Sequence, residues 1–309
     1  MDTVNKNLGE LDIRTANLFE MRLAHIKELA YELAKRIAAV PHDSNWAWNL
    51  KGLYQKARCD ISWDGIENNR YALKVFGEAT ENLELAKLAR YIKEYGDYDE
   101  AWLPTFFAGV DTPLPEARGK IACMKNIYTD TAYIRFGAFV QDPSVLYLDS
   151  FTAICEEVAY GRCEYCILPI ENSDDGKLFG FYKLLSQYEL NIVLTTRVAT
   201  SEDSSSTYFA LVRKGIENIS LKHKAGTKRY FEFCLLSDIR NNIGDICAAA
   251  ELFGITLHKI DSAPRTYSEN EFEYHIVFDI SSGDLYSFLI YLSLKTDHYS
   301  VLGLYSKIN

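Results

Sequence analysis

The stretch Cys166-Ile-Leu-Pro-Ile-Glu-Asn-Ser-Asp-Asp-Gly-Lys177 decides the fold class of this chain. Its apolar first half is typical of a buried strand, and Glu171, Asn172 and Ser173 follow that strand directly. We expect a helix to begin near Gly176. Ligands of open α/β sheets bind at the carboxyl ends of strands, where a helix N-terminus offers free N–H groups to an anion. The stretch therefore predicts either a small-anion site or a polar turn with a helix cap.

Short strands and helices alternate on both sides of this stretch. The predicted strands cover residues 120–123, 145–148, 165–169, 192–196 and 208–213, and the predicted helices cover residues 129–139, 151–160 and 177–188. Such alternation is typical of βαβ units, which build a sheet with helices on its faces. Residues 120–214 are therefore predicted to form an α/β domain.

A different pattern occupies residues 228–309. Strands are predicted at 230–236, 255–260, 273–280 and 300–306, and helices at 243–253 and 285–294. The order strand, helix, strand, strand, helix, strand predicts an antiparallel sheet covered on one side by two helices. This segment is therefore predicted to be a ferredoxin-like unit of the α+β class.

Residues 1–108 are predicted to be helical. An apolar side chain recurs every three or four positions and forms one stripe of a helix: Phe19, Leu23, Ile26, Ala30, Leu33 and Ile37. Further helical patterns cover residues 66–76 and 83–92. All four tryptophans fall in this segment, which favours a helical bundle with a tryptophan-rich core over a ligand site. Residues 109–119 contain prolines and glycines and are predicted to be a linker.

The composition excludes several classes of protein. A chain of 309 residues with 48% apolar and 25% charged side chains is typical of globular protein and not of disordered or collagen-like chains. The net charge of -10 opposes binding to nucleic acid or to an anionic membrane surface. No apolar run approaches the roughly 20 residues of a membrane span, and the first ten residues do not resemble a signal peptide. We therefore expect a cytoplasmic protein.

The cysteine and histidine patterns indicate no bound group. Seven cysteines lie in apolar runs, which predicts reduced, buried thiols. Cys163 and Cys166 have the spacing of a redox pair, but they enter a predicted strand, which favours a structural role. The histidines show no metal-ligand spacing, and the chain lacks glycine fingerprints for phosphate or dinucleotides. Neither a metal nor a cofactor is expected.

Two groups of motifs resemble the prephenate dehydratase family. The segment Leu168-Pro-Ile-Glu-Asn-Ser173 followed by Gly176 is similar to that family's Pro-Ile-Glu-Asn-Ser motif, and Ser150-Phe-Thr-Ala-Ile154 is similar to the segment before it. The segment Gly254-Ile-Thr-Leu-His-Lys-Ile-Asp-Ser-Ala-Pro264 resembles the Glu-Ser-Arg-Pro region of the family's ACT regulatory domain. The resemblance covers residues 120–309 and implies a periplasmic-binding-protein-like α/β domain followed by an ACT domain.

The resemblance also implies an activity and a site. The family removes water and carbon dioxide from prephenate to give phenylpyruvate. It carries a Thr-Arg-Phe motif opposite the Glu-Asn-Ser segment, and the best match is Thr207-Tyr-Phe209, where tyrosine replaces arginine. Thr207 is thereby the expected acid, and the residues expected to bind substrate are Glu171, Asn172, Ser173 and Phe209. Since tyrosine carries no charge at neutral pH, we expect a basic residue of the N-terminal segment to replace the arginine.

Other departures from the family concern whole segments. Thr196-Arg-Val198 is a second candidate for the Thr-Arg-Phe motif. The interval between Asn172 and Thr207 is short for a domain with a second lobe, so much of that lobe is expected to be missing. Some family members carry an N-terminal chorismate mutase, but Ile26 and Ile37 stand where a mutase needs arginine and lysine. Arg22 and Lys35 fit such a role only in another register.

The C-terminal resemblance implies a regulatory site and an oligomer. In the family, an amino acid binds between two ACT domains. The matching residues are Asn242, Gly244, Asp261, Ser262 and Pro264. We expect a homodimer formed through this segment and a ligand that is a small carboxylate or an aromatic amino acid.

The sequence thus predicts a chain of class α/β plus α+β. Its parts are a helical domain (1–108), a linker (109–119), a dehydratase-like domain (120–214) and an ACT-like domain (228–309). The first functional hypothesis is a prephenate dehydratase of phenylalanine biosynthesis. The second is a catalytically inactive ACT-domain protein that binds an aromatic amino acid and has a regulatory role. The third is a structural subunit that partners a separate enzyme.

Overall fold

A computed structural model describes residues 2–39, 50, 52–54, 70–97, 115–199, 205–215, 228–236, 243–264, 272–296 and 299–308. The four tryptophans, the first part of the predicted linker and Asn242 lie outside these residues. The predictions made for them are therefore not tested by the structure.

The described residues form the following helices and strands in chain order. They are α1 (Asp2–Ala38), α2 (Arg70–Gly96), β1 (Lys120–Cys123), α3 (Ile127–Gly137), β2 (Ser144–Tyr147), α4 (Phe151–Ala159), β3 (Tyr165–Asn172), β4 (Gly176–Lys177), α5 (Phe179–Gln187), β5 (Leu190–Ala199), β6 (Ser206–Lys214), β7 (Arg229–Leu236), α6 (Ile243–Leu252), β8 (Thr256–Pro264), β9 (Phe272–Asp279), α7 (Leu285–Lys295) and β10 (Tyr299–Ile308). The predicted order of strands and helices from residue 120 onward is confirmed, with ends that differ by a few residues.

The chain divides into two compact units. The first comprises Met1–Leu103, Gly244–Phe253 and Leu285–Asp297, and it contains α1, α2, α6 and α7. The second comprises Pro104–Ile243, Gly254–Asp284 and His298–Asn309, and it contains every strand named above together with α3, α4 and α5. The two helices of the C-terminal segment are thus grouped with the N-terminal helices.

Apolar and polar contacts hold the helical unit together. The later part of the predicted α1 stripe is buried, from Ile26 to Ile37, whereas Phe19 is exposed. Arg22 of α1 forms an ion pair with Glu84 of α2. Asn82 of α2 donates a hydrogen bond of 2.9 Å to the carbonyl oxygen of Asp245. The two helical patterns predicted at 66–76 and 83–92 are one helix, α2, where the structure describes them.

One mixed sheet organises the second unit. Its strand order is β2-β1-β3-β6-β5-β10-β7-β9-β8, and β4 pairs with the end of β3. Strands β1, β2 and β3 are parallel, β5 pairs with β10 in parallel, and the remaining neighbours are antiparallel. The order β8-β9-β7-β10 is the one expected from the βαββαβ pattern. Pairing of β5 with β10 joins these four strands to the strands of residues 120–214.

Alternation along β3 places its side chains on both faces of the sheet. Cys166, Leu168 and Ile170 pack in one apolar cluster with residues of α4 and α5, whereas Tyr165 and Ile167 pack in another with α3. A strand covered on both faces is expected to be nearly continuous in apolar residues. This explains why the first half of the deciding stretch is apolar.

The helix predicted from residue 177 begins two residues later, and a short hairpin that the sequence did not predict precedes it. Glu171 pairs with Lys177 and Asn172 pairs with Gly176, so the chain returns as a short antiparallel hairpin. Gly176 has a φ of 72°, a conformation that glycine adopts without strain. The helix α5 begins only at Phe179, and no side chain caps it. The polar residues after β3 therefore build a turn and not a helix N-terminus.

Gly303 allows the close contact between β10 and β5. A Cβ atom at this position would lie 2.6 Å from the carbonyl oxygen of Ile192. We expect Gly303→Ala to lower the free energy of unfolding by about 1–3 kcal/mol, because the backbone of β5 must shift. Gly180→Ala is the control, since a Cβ there would meet nothing within 4 Å. Urea unfolding of both variants checks this, and equal stability would contradict the account.

Candidate functional site

A polar cavity of about 160 Å³ lies within the second unit. Its floor is built from buried side chains: Ile170, Lys177, Tyr182, Thr195, Glu232, Val277 and Tyr305. Its rim is built from side chains that are partly or largely exposed: Glu171, Tyr208, His258, Lys259 and Lys307. The cavity thus opens to solvent along a rim that carries most of its ionisable groups.

A buried ion pair lies in the floor. The Nζ atom of Lys177 is 2.5 Å from Oε1 of Glu232, and both side chains are at most 2% exposed. The hydroxyl of Tyr305 donates a hydrogen bond of 3.0 Å to Oε2 of the same carboxylate. Burial, and then the charge of Glu232, hold the pKa values of Tyr182 and Tyr305 well above the ordinary value, so both are neutral hydroxyls. The floor therefore carries one compensated pair of charges.

A second cation of the pocket is also paired. Nζ of Lys259 lies 2.9 Å from Oε2 of Glu171 and 3.5 Å from Oδ2 of Asp261. Partial burial opposes the charge of Lys259, but the hydrogen bond to Glu171 and the two carboxylates raise its pKa overall. Asp261 lies 3.5 Å from Lys177 as well, so it connects rim and floor.

Lys307 is the pocket cation without a carboxylate partner among the residues that the structure describes. Its Nζ lies 3.1 Å from Nε2 of His258 and 4.4 Å from the centre of the Tyr230 ring. An ammonium only donates hydrogen bonds, so Nε2 of His258 accepts. Burial and the nearby Lys307 lower the pKa of His258, which keeps the imidazole neutral at pH 7. Lys307 is thus positioned by a neutral acceptor and is available to an anion.

Thr195 supplies an unpaired hydroxyl to the same cavity. The residue is 2% exposed, and its Oγ1 has no hydrogen-bond partner in the described part of the chain. A buried hydroxyl without a partner costs about 1–3 kcal/mol. A ligand oxygen in the pocket would remove that cost.

The structure brings together some of the predicted substrate residues. Glu171 lines the cavity, and its neighbour across the sheet is Tyr208, which lines the cavity as well. Asn172 and Thr207 are also paired across β3 and β6, but neither lines the cavity, and nor does Phe209. Side chains alternate along a strand, so Thr207 lies on the opposite face from Tyr208.

Asn172 and Ser173 shape the turn after β3. The Oδ1 atom of Asn172 accepts hydrogen bonds from the N–H groups of Asp174 and Asp175. Ser173 accepts a hydrogen bond of 3.0 Å from the N–H of Ser206 through its Oγ. These contacts are those of a polar turn, without the helix cap that the second interpretation of the deciding stretch included.

The alternative motif at Thr196-Arg-Val198 does not line the cavity either. Thr196 accepts a hydrogen bond of 3.1 Å from Arg135, and Arg197 donates one of 2.8 Å to Ser206. Between Asn172 and Thr207, the described chain forms β4, α5 and β5.

The predicted regulatory residues are divided between the two units. Gly244 lies in α6 of the first unit, and Asn242 is not described. Asp261, Ser262 and Pro264 belong to β8, so the expected turn is an extended strand paired with β9. Asp261 contacts the lysines of the cavity, which the sequence did not predict.

Of the cysteines that the structure describes, five are buried as the sequence predicts and Cys247 is partly exposed. Cys163 and Cys166 are buried, and they form no disulfide. Burial raises the pKa of Cys163 to about 11 and that of Cys123 to about 12, so both remain protonated at neutral pH. Neither thiol is activated as a nucleophile.

The lysines and His258 are the site residues that sequence reasoning missed. Lys177 ends the deciding stretch, and the other three come from strands far along the chain. Each stands in an otherwise ordinary strand sequence, so no local signal separates it from a solvent-exposed residue. The pairing of β5 with β10, which brings Lys307 beside Tyr208, is not visible in the sequence pattern.

Comparison with known proteins gives one family match. The family model of prephenate dehydratase matches residues 125–201. This region includes the Glu-Asn-Ser turn and ends before Thr207. No curated protein sequence matches the chain significantly.

Solved structures show limited similarity. A prephenate dehydratase from Streptococcus mutans is 20% identical with a TM-score of 0.49, covering 62% of this chain and 99% of its own. A prephenate dehydratase from Arthrobacter aurescens in complex with L-Phe is 13% identical with a TM-score of 0.45, covering 60% and 89%. GqqA, described as a novel type of quorum quenching acylase, is 17% identical with a TM-score of 0.46, covering 60% and 94%.

In the described part of the chain, no helix has the length and apolarity needed to cross a bilayer.

Proposed function

We propose that this chain is a prephenate dehydratase-like protein of aromatic amino-acid metabolism, and that its cavity binds an aromatic carboxylate. One observation carries the proposal: two groups that have no such partner among the described residues line the same cavity, the Lys307 ammonium, which lacks a carboxylate, and the buried Thr195 hydroxyl, which lacks a hydrogen bond. Both groups become satisfied when a carboxylate binds there. The family match at residues 125–201 supports the ligand class.

The cavity limits the size of the buried part of the ligand. A cavity of roughly 150 Å³ holds one benzene ring in a protein core, and the present volume is about 160 Å³. One six-membered ring therefore fits inside, among Tyr182, Tyr305 and Val277, with its carboxylate toward the rim. A second polar group of the ligand would project into solvent beside Lys259 and Glu171.

The proposed reaction converts prephenate and one proton into phenylpyruvate, carbon dioxide and water. The bond to the ring carboxylate breaks, its electron pair enters the ring, and the ring hydroxyl leaves with the added proton. In this proposal Lys307, on the C-terminal strand, takes the place of the arginine that the family resemblance implies at Tyr208; the sequence alone suggested a basic residue of the N-terminal segment for that role. The hydroxyls of Thr195 and Tyr208 face the cavity and are the candidate proton donors, in place of Thr207.

A second function is binding of an aromatic amino acid without turnover, as in an ACT-domain regulator. The observation that favours it is the ion pair between Lys259 and Glu171 at the rim. The carboxylate of a bound amino acid would pair with Lys307. Its ammonium would pair with Glu171 and take the place of Lys259 in that ion pair. Under this function the protein acts as a homodimeric sensor in the cytoplasm.

One pair of measurements separates the two functions. Purified full-length protein is incubated with prephenate, and phenylpyruvate is measured by its absorbance; in parallel, phenylalanine and phenylpyruvate are titrated by calorimetry. A dehydratase forms phenylpyruvate above background, and Thr195→Val reduces that rate. A sensor forms none and binds phenylalanine, and Glu171→Gln then weakens phenylalanine but not phenylpyruvate. Folded protein that neither turns over prephenate nor binds any of these compounds would overturn the proposal.

Binding of the aromatic carboxylate should weaken at a lower pH than it would if Lys307 had the ordinary pKa of a lysine. Partial burial and neighbouring lysines lower the pKa of Lys307 despite the opposing effect of Glu171 and Glu232. The ammonium binds a carboxylate below this pKa, and binding is lost as the pH rises through it. Arginine stays charged at these pH values, so Lys307→Arg should retain binding to higher pH. Calorimetric titrations between pH 7 and 10 check this, and identical profiles would contradict it.

A further inference from the structure

A cluster of three metal-ligating side chains lies on β7 and β9 of the second unit. Cys234 and His275 face each other across the two strands, and Glu273 is two residues before His275. Residues two apart on a strand share a face, so the three side chains project from the same side of the sheet. One thiol, one carboxylate oxygen and one imidazole nitrogen lie within 4.8 Å of one another.

We propose that Cys234, Glu273 and His275 bind a zinc ion. The donor set fits this metal, since zinc takes thiolate, imidazole and carboxylate ligands, and three protein ligands leave a fourth position for water. Cys234 and His275 are each more than nine-tenths buried, whereas Glu273 is half-buried and gives access from solvent. No sequence spacing indicates the site, because the strand register creates it.

The three donor atoms already lie within 4.8 Å of one another. Oε1 of Glu273 lies 3.5 Å from Nε2 of His275 and 2.6 Å from Sγ of Cys234. Two ligands of a tetrahedral zinc are about 3.3–3.5 Å apart, given zinc–ligand bonds of about 2.0–2.3 Å. The histidine and the carboxylate already have this separation. The carboxylate must rotate away from the sulfur by about 1 Å, and its partial exposure leaves room for that rotation.

Neighbouring aromatic rings hold the imidazole of His275 in place. Among the described residues, none accepts a hydrogen bond from its second nitrogen. The rings of Phe179 and Tyr182 contact the His275 ring edge to face, at 5.2 and 5.1 Å between centres. Nδ1 of His275 is buried and has no hydrogen-bond partner among the described residues. An outer partner for this nitrogen typically raises metal affinity 10- to 100-fold. We therefore expect zinc to bind reversibly, and more weakly than at sites with a complete outer shell.

Binding of zinc should release a proton from the protein. The thiol of Cys234 must lose its proton to form the zinc–sulfur bond, and that proton passes to the buffer. No electron is transferred, since zinc keeps its charge. Affinity for zinc should therefore fall as the pH is lowered.

Cobalt(II) is the probe for this site, because its complexes absorb visible light and a thiolate ligand adds a charge-transfer band. Cobalt is added to the full-length protein under reducing conditions, and zinc is then titrated to displace it. We expect one cobalt per chain and a thiolate band that zinc abolishes. Cys247→Ser is the matched control, since this cysteine lies in α6, away from the cluster residues in sequence, and it should leave the band unchanged.

Variants of the cluster decide the outcome. Cys234→Ser should remove the thiolate band, and Glu273→Gln and His275→Gln should each weaken cobalt binding by ~10-fold or more. Glu273→Gln is the variant least expected to disturb the fold, because the side chain of Glu273 is partly exposed. Thermal melting verifies that each variant is folded. The proposal is overturned if the wild type gives no thiolate band, or if Cys247→Ser removes it while Cys234→Ser does not.

Discussion

Lys177→Met should lower the free energy of unfolding by about 3–5 kcal/mol. The substitution leaves the carboxylate of Glu232 buried without its cation. The Glu232 side chain is 1% exposed, and the hydrogen bonds that remain to it, from Tyr305 and Tyr182, come from neutral hydroxyls. An uncompensated buried charge costs far more than the net contribution of the pair.

The double variant tests whether the cost arises from the charge. Lys177→Met combined with Glu232→Met removes both charges, and most of the lost stability should return. Arg162→Met is the matched control, because the ion pair of Arg162 with Glu157 is exposed and should leave the free energy of unfolding unchanged. Denaturant unfolding measures all four proteins. Equal losses for Lys177→Met and Arg162→Met would contradict the assignment of a buried pair.

Lys307→Met should weaken binding of an aromatic carboxylate by about 10- to 100-fold while leaving the fold intact. A charge-assisted hydrogen bond contributes about 1.5–3 kcal/mol, and the rim position of Lys307 places its contribution at the lower end through solvent screening. The side chain is exposed and has no carboxylate partner among the described residues, so its removal leaves no buried charge.

A surface lysine provides the control for that change. Lys228→Met removes the same charge from a side chain that is 70% exposed and lies 3.6 Å from Asp279. Calorimetric titration with phenylpyruvate should show wild-type affinity for Lys228→Met. If both variants lose affinity equally, long-range charge and not a direct contact explains binding, and the placement of the carboxylate at Lys307 is wrong.

Much of the fold could be predicted from the sequence because its patterns are local. The predicted strand at residues 120–123 is β1, and the stripe of α1 is buried from Ile26 to Ile37. The exception at Gly176 has a local reason as well. A polar segment with a glycine is compatible with a helix start and with a hairpin, and the pairing of Glu171 with Lys177 decides between them.

The candidate site was predictable only in part. Glu171 was found from its motif, and it lines the cavity. Thr207 was chosen beside Tyr208, and neighbouring strand residues lie on opposite faces. The register of β3 and β6 shifts between Pro169 and Glu171, which sets Glu171 opposite Tyr208. Such an irregularity depends on tertiary pairing, so the sequence pattern does not show which of the two residues faces a ligand.

The cations were not predictable, because they come from separate strands. Lys177 lies on β4, Lys259 on β8 and Lys307 on β10. Their convergence depends on one sheet that includes the strands of both predicted domains. One of these lysines, Lys307, has its Nζ 6.0 Å from the centre of the Tyr208 ring.

The most direct test is a crystal structure of the full-length protein grown with phenylpyruvate. We predict that the ring occupies the cavity above Tyr305 and that a carboxylate oxygen lies about 3 Å from Nζ of Lys307. We also predict that a ligand oxygen lies within hydrogen-bond distance of Oγ1 of Thr195. Density for the ligand on the opposite face of β6, against Thr207, with the cavity filled only by water, would contradict the account.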